Sequence, residues 1–177
     1  MNAQNIYYHA FKTSLGTMVV GCTKDSITHL QIINRDDIPP DWPNSDTYPA
    51  PETCPAKNTS AHCLSLAETA VTQIREYLEG KRRKFTLPLA PQGTLFQQKV
   101  WKALRTIPYG ETRCYSEIAE TIGNPKACRA VGMANNRNPI MILIPCHRVV
   151  GKNGSLVGYA SGLDIKQRLL KLEGGLP

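Results

Sequence analysis

Three short runs near the N-terminus, 6–12, 17–23 and 27–33, are rich in β-branched and aromatic residues and are separated by Ser14-Leu15-Gly16 and Lys24-Asp25-Ser26. Runs of this length bounded by turn-forming residues predict a three-stranded antiparallel meander. The period then changes. Leu64, Ala67, Val71, Ile74 and Leu78 recur at three- and four-residue intervals, and Gly80 stands at a C-cap position. They predict a helix laid over one face of the sheet. Between sheet and helix, 36–60 holds six of the thirteen prolines, so it reads as a long surface excursion rather than a regular element.

Pro88-Leu89-Ala90-Pro91-Gln92-Gly93 reads as a linker and divides the chain into an N-terminal domain, 1–91, and a C-terminal domain, 92–177. Thr94 with Gln97 forms a capping box ahead of Leu95, Phe96, Val100, Trp101 and Leu104, which share one helical face. A short helix over 116–122 is closed by Gly123. Asn124 and Pro125 then supply an N-cap and an N1 proline for a helix running to about Asn135. Two short helices joined this way are a helix-turn-helix signature. In the second, all side chains are small except Lys126, Arg129 and Met133, which suits close approach to a surface and equally suits tight helix packing. A last amphipathic helix, 163–172, turns Ile165, Leu169 and Leu172 inward and stops at Gly174. The predicted class is α+β: a three-stranded antiparallel sheet with a helix, followed by a mostly helical domain.

Composition narrows the function. No apolar run approaches the roughly 20 residues of a membrane span, and the first residues lack a signal-peptide layout, so a cytoplasmic protein with no membrane partner is expected. The net charge of +7 is uneven: residues 1–90 hold nine Lys/Arg against nine Asp/Glu, and 91–177 hold twelve against five. A basic second half fits a phosphate backbone, or simply a solvated basic face. Lys81-Arg82-Arg83-Lys84 reads as a solvated helix end. The six cysteines show no C-x-x-C spacing, which argues against a zinc ribbon or a disulfide scaffold.

The chemistry concentrates in Ile140-Met141-Ile142-Leu143-Ile144-Pro145-Cys146-His147-Arg148-Val149. The apolar run predicts a buried strand that ends at a proline and delivers Cys146 into a site. A thiol is mostly protonated at neutral pH, and the thiolate is the nucleophile, so Cys146 needs a base. His147 is the candidate. Adjacent residues of an extended segment point apart, so the contact is expected to run through water. Glu111, Glu117, Glu120, Asp164 and Glu173 could each orient the imidazole. The glycine-punctuated loop 151–162 can wrap a flat ligand but matches no dinucleotide or P-loop pattern, so no cofactor is expected.

Pro145-Cys146-His147-Arg148-Val149 is preceded by Arg129-Ala130-Val131-Gly132 and Asn138-Pro139. Gly158-Tyr159 and Leu169-Leu170-x-x-Glu173-Gly174 follow it. Over 94–175 this order closely resembles the O6-alkylguanine-DNA alkyltransferases, also called methylated-DNA-protein-cysteine methyltransferases. The resemblance implies a ribonuclease-H-like N-terminal domain and a C-terminal DNA-binding and alkyl-acceptor domain. It implies that Cys146 takes the alkyl group from O6-methylguanine, and from O4-methylthymine, in one stoichiometric and inactivating step of DNA repair. His147 would deprotonate the thiol through water, and Glu173 would orient His147. Asn138 would brace the cysteine segment, and Tyr115 would help rotate the target phosphate and protonate the departing base. Arg129 would fill the stack after base flipping, with Lys126, Ala127, Cys128 and Ala130 beside it on the minor-groove side of double-stranded DNA. Val149, Tyr159, Ala160 and Ser161 would line the base pocket, supported by Lys166. The protein would act as a monomer.

Three positions depart from the family pattern: Cys128 and Met133 stand where smaller residues are usual, and Ser161 replaces a loop glycine. Zinc, found in some relatives, has only Cys22 and His29 as candidate ligands, so no metal is expected. A lesion sensor of the alkyltransferase-like kind would lack the acceptor cysteine. A Cys-His hydrolase would leave the basic half and the helix-turn-helix idle.

Overall fold

The computed structural model describes residues 6–33 and 61–175. The proline-rich stretch 36–60 therefore lies outside the described residues. The chain divides into two compact units, Met1–Ala90 and Pro91–Pro177.

In the first unit, β1 (Tyr7–Thr13), β2 (Gly16–Cys22) and β3 (Ile27–Ile32) pair antiparallel in that order. The β1–β2 turn depends on Gly16, whose φ of +118° is closed to side-chain-bearing residues. Thr13 Oγ1 locks this turn by donating to the Gly16 carbonyl at 2.8 Å. The meander is thus as expected, and α1 (Ala61–Leu78) packs against β1 and β2. Its buried stripe is Cys63, Ala67, Ala70, Val71, Ile74 and Tyr77, whereas Leu64 is 39% exposed. The small Ala67 and Ala70 let the helix sit close to the sheet, so the seam runs one residue away from Leu64. After α1 the chain returns along β3, where the Ile27 amide donates to Pro88 O at 2.8 Å and the Ala90 amide to Ile27 O at 2.9 Å.

The second unit contains α2 (Leu95–Leu104), β4 (Arg113–Cys114), α3 (Tyr115–Thr121), α4 (Cys128–Asn136), β5 (Val149–Val150) and α5 (Leu163–Glu173). The capping box at Thr94 forms in both directions: Thr94 Oγ1 accepts from the Gln97 amide at 3.2 Å, and Gln97 Oε1 accepts from the Thr94 amide at 2.8 Å. Val100, Trp101 and Leu104 are core, but Leu95 is 81% exposed. At the first helical position its side chain projects past the end of the buried stripe. Trp101 Nε1 donates to Ala134 O at 2.9 Å and fastens α2 to α4.

Two expectations are corrected here. The second short helix begins at Cys128, with Ala127 as its N-cap, rather than at Pro125. The Asn124 carbonyl accepts from the Ala127 amide at 2.9 Å, so Pro125 occupies the second position of a turn, where its fixed φ fits as well as at a helix start. Lys126 and Ala127 therefore precede α4. The run 140–144 is not a strand. The Ile144 amide donates back to Ile140 O at 3.0 Å and the Leu143 amide to Met141 O at 2.7 Å, closing a buried turn with Ile142 at φ +68°. A β-branched residue there carries strain of about 1–3 kcal/mol. Every residue from Ile140 to Val150 is buried, so apolarity reports burial here and not extension.

Candidate active site

The turn at 140–144 ends at Pro145 and delivers Cys146 as the first residue of a 3-10 turn, Cys146–Arg148. Asn138 holds this segment from inside. Its Nδ2 donates to Ile144 O at 2.8 Å and to Cys146 Sγ at 3.0 Å, and its Oδ1 accepts from the Ile140 amide at 3.0 Å. Asn135 Nδ2 donates to Cys146 O at 3.3 Å. Cys146 is 4% exposed, and burial pushes its thiol up. Hydrogen bonds from Asn138 and Tyr159 and the nearby Lys166 charge oppose that shift without cancelling it. The resting sulfur is thus a protonated thiol with partners ready for the anion.

Lys166, from α5, is fully buried. Its ammonium donates to Val149 O at 2.6 Å and Val157 O at 2.7 Å, tying β5 to the loop before α5. Burial lowers its pKa to about 8, against the opposing pull of Cys146. Tyr115 opens α3, and its hydroxyl donates to the same Val157 carbonyl at 3.1 Å. Burial first, and then Cys146, raise the phenol, so it stays protonated. A Cβ on Gly158 would lie 3.5 Å from the Tyr115 hydroxyl, and one on Gly132 3.8 Å from its ring, so the phenol sits between α4 and the loop.

The imidazole of His147 is completely buried, with Nε2 3.0 Å from Glu173 Oε1 at the end of α5. An ionised Glu173 assigns the ring proton to Nε2. That leaves Nδ1 as a buried lone pair without a partner among the described residues. Burial lowers His147 most strongly; Glu173 works against it, and Arg148 and Lys166 reinforce it. Among the described contacts His147 and the Cys146 sulfur share no direct hydrogen bond.

The remaining predicted residues fall in two groups. Val149 is fully buried, Tyr159 and Ser161 are half-buried, and Ala160 is exposed. Ser161 Oγ points at the Met141 sulfur, 3.9 Å away. On and before α4, Lys126, Arg129 and Ala130 are exposed, Ala127 and Cys128 are half-buried, and Met133 is 61% exposed. No group of three or more His, Cys, Asp or Glu able to hold a metal occurs among the described residues. Cys22 instead donates to Cys63 O at 3.5 Å, and His29 Nδ1 pairs with Thr28 Oγ1 at 3.0 Å.

Residues 6–91 match the model of the 6-O-methylguanine DNA methyltransferase ribonuclease-like domain, and residues 95–175 match the DNA-binding domain of the same protein type. The chain belongs to this methyltransferase family. It is 44% identical over 172 residues to the methylated-DNA–protein-cysteine methyltransferase of Methanosarcina acetivorans, covering 96% of this chain and 99% of that one. To the constitutive enzyme of Bacillus subtilis it is 46% identical over 169 residues, covering 94% of each. Among solved structures, that of Mycobacterium tuberculosis OGT in complex with DNA aligns with a TM-score of 0.76 at 39% identity, covering 94% of this chain and 92% of that one. The DNA-binding domain match of this methyltransferase family spans all the candidate residues around Cys146 and on or before α4.

The sequence reading missed Arg148 and Asn135. Arg148 is 7% exposed and clasps Glu173 with Nε and Nη2, both at 2.8 Å. The available signal was a charged residue inside a run buried on both sides, since arginine is seldom buried without a partner. Asn135 carried no such signal, because it reads as an ordinary helix-end residue.

Proposed function

We propose that this chain repairs O6-methylguanine, and with it O4-methylthymine, in DNA by moving the alkyl group to Cys146 in a single irreversible step. The observation that carries this reading is the buried Cys146 thiol beside an imidazole whose Nε2 is held by Glu173 and whose Nδ1 lone pair is open. Sγ attacks the alkyl carbon, a C–S bond forms, and the C–O6 bond breaks with its electron pair passing to guanine. The thiol proton moves through a water to His147 Nδ1, and guanine takes a proton from the Tyr115 hydroxyl, so the charges balance once solvent exchanges the two protons. Lys166 and the Asn138 amide offset charge on sulfur as it develops. Water does not expel a thiolate from a thioether, so each molecule acts once.

Reaching a base in a duplex requires flipping it out, which costs a few kcal/mol and is easiest at a poorly paired lesion. In this reading α3 and α4 form a helix-turn-helix, and the small-residue face of α4 enters the minor groove. Arg129 replaces the extruded nucleotide in the stack. Val149 and the 159–162 loop then receive the base. The protein works as a cytoplasmic monomer, and most of its contacts go to phosphate, so binding is salt-sensitive and nearly independent of sequence.

The test is intact and peptide mass analysis after mixing with a duplex carrying one O6-methylguanine, with Cys146→Ala as control. One methyl per molecule on Cys146, matched by restored guanine, is expected. Tight binding without a mass change would indicate a sensor, and the absence of both transfer and binding would point to a Cys-His hydrolase.

A further inference from the structure

The Glu173 carboxylate receives four donors. His147 Nε2 and Arg148 Nη2 share Oε1 at 3.0 and 2.8 Å, and Arg148 Nε and the Gly110 amide share Oε2 at 2.8 and 3.3 Å. Arg148 is anchored in turn: Nη1 donates to Ile107 O at 2.6 Å, and its guanidinium carbon lies 5.9 Å from the Tyr109 ring centre. The Tyr109 hydroxyl donates to Leu172 O at 3.0 Å, so the loop 107–110 and the end of α5 form one frame around the fork.

A buried carboxylate facing only a histidine attracts a proton. Whichever of the two holds it, Nδ1 cannot act as a base. If the imidazole is charged, both nitrogens carry protons. If the carboxyl is protonated and donates to Nε2, the ring proton sits on Nδ1. A guanidinium on the same carboxylate removes that demand, because the planar fork neutralises Glu173 through two parallel hydrogen bonds. We propose that Arg148 is a positioning residue that cancels the charge of Glu173 and so keeps the His147–Glu173 pair free of an extra proton, leaving Nδ1 open to the Cys146 proton at neutral pH. This rests on the reading of His147 as the base.

The charged groups acting on His147 are Glu173 and Lys166 from α5 and Arg148 beside it. α2, which packs on the same turn, buries only Val100, Trp101, Ala103 and Leu104. Cys146 enters as a neutral thiol. Removing Arg148 therefore leaves one cation against the carboxylate, and a charge at this range moves a titration by about 1–3 units.

The experiment is the single-turnover rate of methyl transfer from an O6-methylguanine duplex across about pH 5.5–9, the range in which a histidine titrates, for the unaltered protein, Arg148→Met and Arg148→Lys. In Arg148→Met the acid limb is expected to move up by about 1–3 units with recovery at high pH, and in Arg148→Lys by less. A rate lowered by the same factor at every pH would make Arg148 merely structural and overturn the proposal. A flat profile for both the unaltered protein and Arg148→Met would remove His147 as base and take the proposal with it. Should Arg148→Met fail to fold, the ring nitrogen shifts of His147 in the unaltered protein decide. A neutral ring with its proton on Nε2 at neutral pH is expected, and an imidazolium overturns the proposal.

Discussion

Replacing Asn138 by Ala should cost more stability than its size suggests. The side chain is 7% exposed and serves a segment that belongs to none of the named strands. Its loss does not strip every backbone group it touches: Ile144 O still accepts from the Cys146 amide at 2.8 Å, and Ile140 O from the Ile144 amide at 3.0 Å. The Ile140 amide, however, loses its acceptor Oδ1 inside the core. An orphaned buried amide costs about 1–3 kcal/mol, and the lost bond to Ile144 O adds about 0.5–1.5 kcal/mol. The sum is about 1.5–4.5 kcal/mol. With a urea slope near 2 kcal/mol/M the midpoint should fall by about 1–2 M. Trp101 is buried in the same unit, so its fluorescence in a Trp42→Phe background is a suitable probe. Methyl transfer should fall further than stability, because the donor to Sγ and the turn carrying Ile142 at φ +68° are lost together. A loss under about 1 kcal/mol would refute the view that one side chain organises this segment.

Further outcomes are expected. Lys166 has a folded pKa of about 8, below the roughly 10.4 of an unfolded lysine. Between those values the unfolded chain binds the proton and the native one does not, so this contribution to stability rises with pH there and is constant below. Lys166→Met should lack that rise, and parallel urea-midpoint curves for the two proteins between about pH 7 and 10 would refute it. Ser161→Gly should speed transfer of a benzyl group relative to methyl by about tenfold, the scale on which small pocket groups discriminate; an unchanged benzyl-to-methyl ratio would sink the idea that Ser161 narrows the site. Arg129→Ala should weaken duplex binding and lower the salt slope by about 1. Since Arg129 is exposed, the unfolding free energy from urea titration should stay within about 0.5 kcal/mol of the parent.

Much of the fold could be read from local chemistry. The meander follows from β-rich runs and turn residues, and α2 starts where Thr94 and Gln97 cap each other. Leu64 and Leu95 show the limit of periodicity, which marks a helix but not which edge of its apolar stripe is covered. The run 140–144 shows another: five consecutive apolar residues carry no period, so the backbone path was set by Asn138, a polar residue outside the run. The site was legible in part. Cys146 and His147 stood out by adjacency, but Glu173 lies 26 positions from His147 and was chosen by resemblance, since spacing left five carboxylates equal. Arg148 was passed over because its partner was unknown until α5 closed on the turn.

Gly93 has a bearing on how the chain can be divided. A Cβ there would come within 2.5 Å of the Trp101 ring, so the glycine backbone lies directly on the indole. Gly93 O also accepts from Gln98 Nε2 at 3.1 Å. The two family matches end at 91 and resume at 95, leaving 92–94 in neither. A fragment started at Leu95 would discard the Thr94 cap and bare the indole whose N–H holds Ala134 of α4. The second unit, prepared alone, must begin upstream of Gly93 if α4 is to stay seated on the indole.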